Sequence, residues 1–110
     1  MTRKTLIIAA IFLLASCAPA LQSVHDGVYS KFTYVRGMPV AQWDNGRFKG
    51  NCLAFALEVL SRATERGMDA EYVEGWANEG DVVSGYEIIR HAAVVSDGFV
   101  SDNQYRWVYP

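Results

Sequence analysis

The fold of this chain is decided by one stretch, residues 51–67, which reads NCLAFALEVLSRATERG. Asn51 is a favourable N-cap and Gly67 suits the position just past a helix end, so the stretch predicts a helix from Cys52 to about Arg66. Apolar side chains cover most of its circumference, which is typical of a helix packed on a sheet. We therefore expect one central, mostly buried helix.

One narrow stripe of this helix is expected to face water. Glu58 and Arg62 stand four residues apart on it and form a favourable charge pair. The stripe comprises Ala54, Glu58, Ser61, Arg62 and Glu65. The positions expected to be buried are Leu53, Phe55, Ala56, Leu57, Val59, Leu60 and Ala63.

After Gly67 the pattern changes to an alternation of period two, which predicts an antiparallel sheet. The expected strands are residues 70–76, 86–96, 99–102 and 105–109. A polar loop is expected over residues 77–85, and Asp97-Gly98 predicts a two-residue hairpin turn. The fold class is therefore α+β, with the helix packed on a small antiparallel sheet.

The segments that precede the helix carry weaker signals. Residues 28–35 alternate loosely and fit a short strand or a helical turn equally well. Residues 42–46 are loop-like, because Asn45-Gly46 is a strong turn signal. Residues 18–27 show no sustained period and are expected to form a tether.

The N-terminus has the layout of a secretion signal. Arg3 and Lys4 come first, residues 6–14 form an apolar run too short to span a bilayer, and Leu14-Ala15-Ser16-Cys17 follows. This end resembles the lipobox of bacterial lipoproteins, in which the cysteine receives a diacylglyceryl group and becomes the first mature residue. A buried N-terminal helix and an ordinary cleaved signal are the alternatives.

The resemblance implies three parts: a signal peptide over residues 1–16, a lipid-anchored tether over 17–27 and one domain over 28–110. Two or three acyl chains hold a protein on a membrane durably. Ala18 after the cysteine resembles the Gram-negative sorting pattern for the outer membrane, which implies its periplasmic face.

The charge balance argues against nucleic acid as a partner. The chain has 110 residues, with 10 Lys and Arg against 12 Asp and Glu, and shows no cluster of basic residues. Loss of Arg3 and Lys4 with the signal makes the mature chain more acidic. Its length suits one small globular domain.

The chain has two cysteines, Cys17 and Cys52. If Cys17 carries lipid, Cys52 has no intramolecular partner in a compartment where paired cysteines are oxidised. A lone exported thiol is either buried and inert or retained for its reactivity. A Cys17–Cys52 disulfide is the alternative, and it requires the signal interpretation to be wrong.

Cys52, His91 and Asp102 take positions that suit nucleophilic catalysis. The start of a helix favours the thiolate of Cys52, because the dipole and unpaired N–H groups stabilise negative charge there. The hairpin register sets Asp102 opposite Ala93, and thus diagonal to His91 on the same face. We expect Asp102 to accept the Nδ1–H of His91, which leaves the other ring nitrogen to take the proton of Cys52.

A metal site formed by Cys52, His91 and Asp102, with or without His25, is an alternative use of the same residues. The sequence lacks a short-spaced ligand pair such as CxxC or HxxxH. We therefore expect neither a metal nor another cofactor.

At these residues the chain resembles the bacterial transglutaminase-like cysteine peptidases of the papain-like superfamily. The similar segments are Gly50-Asn51-Cys52, His91-Ala92-Ala93-Val94 and Val100-Ser101-Asp102-Asn103, with Trp43 upstream and Trp107 and Tyr109 downstream. The resemblance implies a papain-like core with Cys52 as nucleophile, His91 as base and Asp102 as orienter. Asn51 stands where the family has an acidic residue and Ser101 where it has leucine, and the helical segment expected before the cysteine is nearly absent.

An acyl-transfer site also needs donors for the developing oxyanion. The backbone N–H of Cys52 is one, and Gln42 or Trp43 is expected to supply a side-chain N–H. The expected function is a membrane-tethered cysteine hydrolase that cleaves an amide bond in a protein or peptide of the cell envelope. An inactive lipid-anchored binding or masking module, and amide transfer to an amine, are the alternatives.

The anchor can be tested directly. Cys17→Ser should leave an unprocessed precursor that incorporates no labelled fatty acid, because the sulfur is the lipid acceptor. Metabolic labelling and intact-mass measurement check this. A mature wild-type protein with no mass beyond its amino acids would contradict the lipoprotein assignment.

Overall fold

The computed structural model describes residues 19–81, 83 and 85–110, and in that part of the chain the fold is α+β, with two helices and two small sheets. The elements are α1 (Ala20–Tyr29), β1 (Phe32–Tyr34), β2 (Gln42–Asp44), β3 (Arg47–Gly50), α2 (Cys52–Glu65), β4 (Glu71–Asp81), β5 (Gly85–Ser96) and β6 (Phe99–Ser101). The expected signal peptide and the expected lipid site, Cys17, lie outside the described residues.

Helix α2 begins and ends where its sequence predicts. The Asn51 side chain accepts hydrogen bonds from the backbone N–H groups of Leu53 and Ala54, at 3.0 and 3.3 Å. Gly67 follows the C-terminus with a φ of 75°, a conformation that glycine adopts without strain. The expected pair also forms, with Arg62 Nε 2.9 Å from Glu58 Oε1.

The predicted facing of α2 is wrong at two positions. Ala54, expected on the polar stripe, is 3% exposed, and Leu57, expected to be buried, is 48% exposed. The reason is the close approach of β3 to the start of the helix: a Cβ on Gly50 would lie 2.3 Å from the Cβ of Ala54. Alanine fits a backbone contact of this kind, which a hydropathy stripe does not register.

Helix α1 occupies most of the segment expected to form a tether. Leu21, Val24, His25 and Val28 are all buried, and they lie on one helical face that packs on α2 and β6. The tether prediction for residues 17–27 is therefore wrong from Ala20 onward, and the domain begins earlier than residue 28. The spacing i, i+3, i+4, i+7 is present in the sequence, but the polar residues between these positions obscure it.

The first sheet has the strand order β1-β3-β2. β1 pairs in parallel with β3, while β2 and β3 form an antiparallel hairpin in which Asp44 pairs with Arg47. Asn45 and Gly46 form its turn with φ values of 56° and 77°. The Asn45-Gly46 turn is thus confirmed, whereas Gln42–Asp44, expected to be loop, form strand β2.

The second sheet is antiparallel, with the order β4-β5-β6. The Asp97-Gly98 turn is confirmed, since Ser96 pairs with Phe99 as its two-residue loop requires. β4 and β5 pair as far as Asp81 and Gly85, so most of the expected loop over residues 77–85 is strand. The expected fourth strand is reduced to one bridge between Val100 and Tyr109.

The core lies where α1, α2 and the second sheet meet. The strand β5 contributes Ala92 and Val94 to it, from the sheet face that packs on α2. The other buried apolar residues of this core include Leu21, Val24, Val28, Phe48, Phe55, Ala56, Val59 and Ala63. None of the helices in the described residues is long and apolar enough to cross a membrane.

The observed facing of α2 predicts unequal effects of two truncations. Phe55→Ala should cost about 3–5 kcal/mol of unfolding free energy, because Phe55 is fully buried. Leu57→Ala should cost less than about 1 kcal/mol, because half of its side chain is in water. Denaturant unfolding measures both, and equal losses would contradict the observed facing.

Candidate active site

Cys52 is the first residue of α2 and follows directly on β3 and the cap residue. Its thiol is free and only 9% of the residue is exposed. The Asn51 side chain accepts hydrogen bonds from the N–H groups of Leu53 and Ala54, and its backbone carbonyl accepts one from the N–H of Phe55. The N–H of Cys52 has no acceptor within the helix, since the first N–H groups of a helix point out of its end.

His91 and Asp102 are in contact, as the hairpin register predicts. Nε2 of His91 lies 2.6 Å from Oδ1 of Asp102, and the residues are 8% and 3% exposed. The prediction that Nδ1 faces the carboxylate is wrong. Nε2 is the ring nitrogen that lies beside the carboxylate, although the contact does not have the geometry of a hydrogen bond.

Asp102 is a carboxylate held among donors. Burial raises the pKa of Asp102, but the adjacent His91 and the hydrogen bonds from the backbone N–H of Gln104 and the Tyr109 hydroxyl outweigh it, so the pKa lies below its ordinary value. Gln104 N donates to Oδ1 at 2.8 Å and the Tyr109 hydroxyl donates to Oδ2 at 3.1 Å. The carboxyl group is therefore charged at neutral pH and able to stabilise a protonated imidazole.

Cys52 lies beside His91 without a hydrogen bond between them in the described part of the chain. The two residues share the walls of two cavities, of about 190 and 170 Å³. The sulfur donates instead to the carbonyl oxygen of Arg90, at 3.9 Å. The structure thus places Cys52 and His91 on shared cavity walls, with the thiol turned toward the strand backbone, while Asp102 lines a different cavity that it shares with His91.

The structure does not bring Gln42 and Trp43 to this cleft. Both lie on β2 and line a different cavity, of about 400 Å³, and Trp43 stacks on Phe48 with 4.7 Å between ring centroids. The amide residues that line the larger cavity beside Cys52 are Asn103 and Gln104. Both residues follow Asp102 directly in the chain. Their position next to this acidic residue is the sequence signal that could have identified them, whereas Gln42 and Trp43 are candidates because they precede Cys52.

A second histidine, His25, holds the segment that carries Asp102. Its Nε2 lies 2.9 Å from the carbonyl oxygen of Tyr105, which can only accept, so Nε2 bears the hydrogen. The Ser101 hydroxyl then donates to Nδ1, at 2.8 Å. His25 therefore pins the residue before Asp102 and a residue just after it to α1.

This buried histidine is neutral. Burial lowers the pKa of His25 below its ordinary value of 6.5, helped by the nearby charge of Arg106. The Tyr105 carbonyl and the charge of Asp26 raise it, but they do not offset burial. The sequence suggests His25 only as a metal ligand, and its place on the apolar face of α1 is the signal that could have shown its structural role.

The possible metal site does not form around these residues. Both ring nitrogens of His25 are engaged by Ser101 and Tyr105, away from Cys52. Within residues 19–81, 83 and 85–110, no group of three or more His, Cys, Asp or Glu side chains is arranged to hold a metal ion.

Comparison of the chain with protein-family models, with curated proteins and with solved structures finds no match.

Because His25 is buried and neutral, we expect acid to lower the stability of the fold. A lowered native pKa means that the unfolded chain binds the proton more readily, so the free energy of unfolding falls as pH drops below 6.5. The slope from this one group is at most about 1.4 kcal/mol per pH unit. His25→Gln should reduce the difference in unfolding free energy between pH 7 and pH 5, as measured by denaturant unfolding. His91 and the other titratable groups are present in both proteins. An unchanged pH dependence of the unfolding free energy in His25→Gln would therefore contradict the prediction.

Proposed function

We propose that the protein is a cysteine hydrolase that cleaves an amide bond through Cys52, His91 and Asp102. The observation that carries the proposal is the buried contact between His91 and a charged Asp102, with Cys52 and His91 on the walls of one cavity. A carboxylate fixes the tautomer of an imidazole and stabilises the imidazolium. This is the arrangement that a base needs to activate a thiol.

In the acylation step, Nδ1 of His91 takes the thiol proton of Cys52 while Nε2–H remains directed at Asp102. The thiolate attacks the carbonyl carbon of the amide, and the C=O electron pair moves to oxygen. The imidazolium then gives its proton to the amide nitrogen, the C–N bond breaks, and the amine leaves. The acyl group is now a thioester on Cys52.

In the deacylation step, His91 takes a proton from water, and the resulting hydroxide attacks the thioester carbon. The thiolate leaves, regains the proton from His91, and the product is a carboxylic acid. The backbone N–H of Cys52, at the start of the helix, is the proposed donor to the oxyanion of both steps. Gln104 is the better candidate than Gln42 for a second donor, because it lines the cavity that Cys52 lines.

The cellular setting is part of the same proposal. The lipobox-like segment supports a lipid on Cys17, which would place the domain on the membrane, at the periplasmic face of the outer membrane, with an envelope protein or peptide as substrate. A helix that starts at the cysteine and an antiparallel strand that carries the histidine also support a transglutaminase-like, papain-like core. Transfer of the acyl group to an amine would use the same three residues.

One observation favours a second candidate, an inactive binding or masking module. The Cys52 sulfur donates to the Arg90 carbonyl rather than to His91. Catalytic hydrogen bonds are often long before substrate binds, so this contact does not exclude activity. It does make the reactivity of the thiol the property to measure.

Thiol alkylation separates the two candidates. Iodoacetamide should label Cys52 in the folded protein, because the proposed base, His91, takes the thiol proton and the start of α2 favours negative charge. His91→Ala should slow labelling strongly, and Asp102→Ala should slow it less, since the carboxylate acts through the imidazole. Mass spectrometry of the labelled peptide follows the rate at each pH.

Lys49→Ala is the matched control, because Lys49 is an exposed residue of β3 and its loss should leave the rate unchanged. If Cys52 reacts only after denaturation, and equally in all four proteins, the binding-module candidate is correct and the hydrolase proposal fails.

A further inference from the structure

The last residues of the chain fold back over the site. After β6 the chain turns at Asp102 and returns, so that Val100 and Tyr109 exchange two backbone hydrogen bonds of 2.7 and 3.2 Å. The bridge fixes the backbone of Tyr109 independently of its side chain. The Tyr109 ring packs edge-on against that of Tyr105, with 5.2 Å between centroids.

The Tyr109 hydroxyl meets the carboxylate oxygen of Asp102 that does not face His91. Oδ1 of Asp102 already faces both His91 Nε2 and the N–H of Gln104. Oδ2 accepts from the Tyr109 hydroxyl at 3.1 Å. A buried carboxylate oxygen without a donor is costly, so this hydroxyl decides whether the carboxylate keeps its rotamer.

We propose that Tyr109 is a positioning residue of the site, which fixes the Asp102 carboxylate and through it the tautomer and orientation of His91. The inference rests on the proposed function for its meaning in catalysis. What it states physically is which ring nitrogen of His91 carries the proton and how the ring is oriented. With Oδ2 held, Oδ1 stays beside Nε2, which favours the tautomer with its proton on Nε2 and leaves Nδ1 as the base. Without the hydroxyl, the carboxylate can rotate and both tautomers of His91 become populated.

The electrostatics of the tyrosine agree with this geometry. Burial, the adjacent charge of Asp102 and the hydrogen bond to it raise the pKa of Tyr109 to about 12. The Tyr109 hydroxyl is therefore protonated at neutral pH, and it acts only as a donor to the carboxylate. Tyr105 makes a suitable control, because it lies in the same segment and half of it is exposed.

The test compares Tyr109→Phe with Tyr105→Phe and the wild type, using the full chain in detergent micelles. The ¹⁵N chemical shifts of the His91 ring report its tautomer across pH. Wild type and Tyr105→Phe should show His91 mainly as the Nε2–H tautomer at neutral pH, and Tyr109→Phe should show a mixture. In the same samples, the rate of Cys52 alkylation near pH 6 should fall several-fold in Tyr109→Phe alone.

Tyr109→Phe with the wild-type tautomer would overturn the inference. An unreactive Cys52 in all three proteins would refute the proposed hydrolase, while the His91 shifts would still decide the role of Tyr109. If Tyr109→Phe does not fold by circular dichroism, Asp102→Asn provides the second measurement. The pKa of Tyr109, followed by the NMR signals of its ring, should then fall relative to the wild type because the adjacent charge is gone, and an unchanged pKa overturns the inference.

Discussion

The buried contact between His91 and Asp102 is the constraint on which the rest of the site depends. A carboxylate that is 3% exposed is tolerated only if donors surround it, and three elements supply them. β5 supplies the imidazole, the turn after β6 supplies the N–H of Gln104, and the returning chain supplies the Tyr109 hydroxyl. Helix α1 adds His25, which is hydrogen-bonded to Ser101 and to Tyr105, and these two residues lie on either side of Asp102 in the chain. The α+β scaffold thus holds one charged residue in a buried place beside His91.

Those parts of the fold whose signals are local could be predicted from the sequence. The caps Asn51 and Gly67 define α2, and the Asp97-Gly98 turn fixes the register that brings His91 and Asp102 together. Each of these depends on residues within a few positions of one another, and backbone chemistry then dictates the geometry. The pairing of His91 with Asp102 follows because strand alternation turns a register into a statement about faces.

What could not be predicted depends on contacts between distant segments. Helix α1 is held by α2 and β6, and its short apolar face is interrupted by polar residues, so its own sequence resembles a tether. The nitrogen that faces Asp102 depends on how the ring of His91 rotates in the assembled sheet. Gln42 and Trp43 are candidates only through their place before the nucleophile, and the hairpin of β2 and β3 carries them to another cavity. Position in the chain does not determine which side chains converge on a cleft.

In the proposed mechanism, Cys52 forms an acyl intermediate with help from His91. The most direct measurement is intact-mass and peptide mapping of the protein during reaction with an activated ester such as p-nitrophenyl acetate. We expect a burst of nitrophenolate stoichiometric with protein, an acetyl group on Cys52, and slow loss of that acetyl group by hydrolysis. Loss of the burst in both Cys52→Ala and His91→Ala belongs to the same prediction. Acetylation confined to lysines, with no burst and no dependence on Cys52, would contradict it.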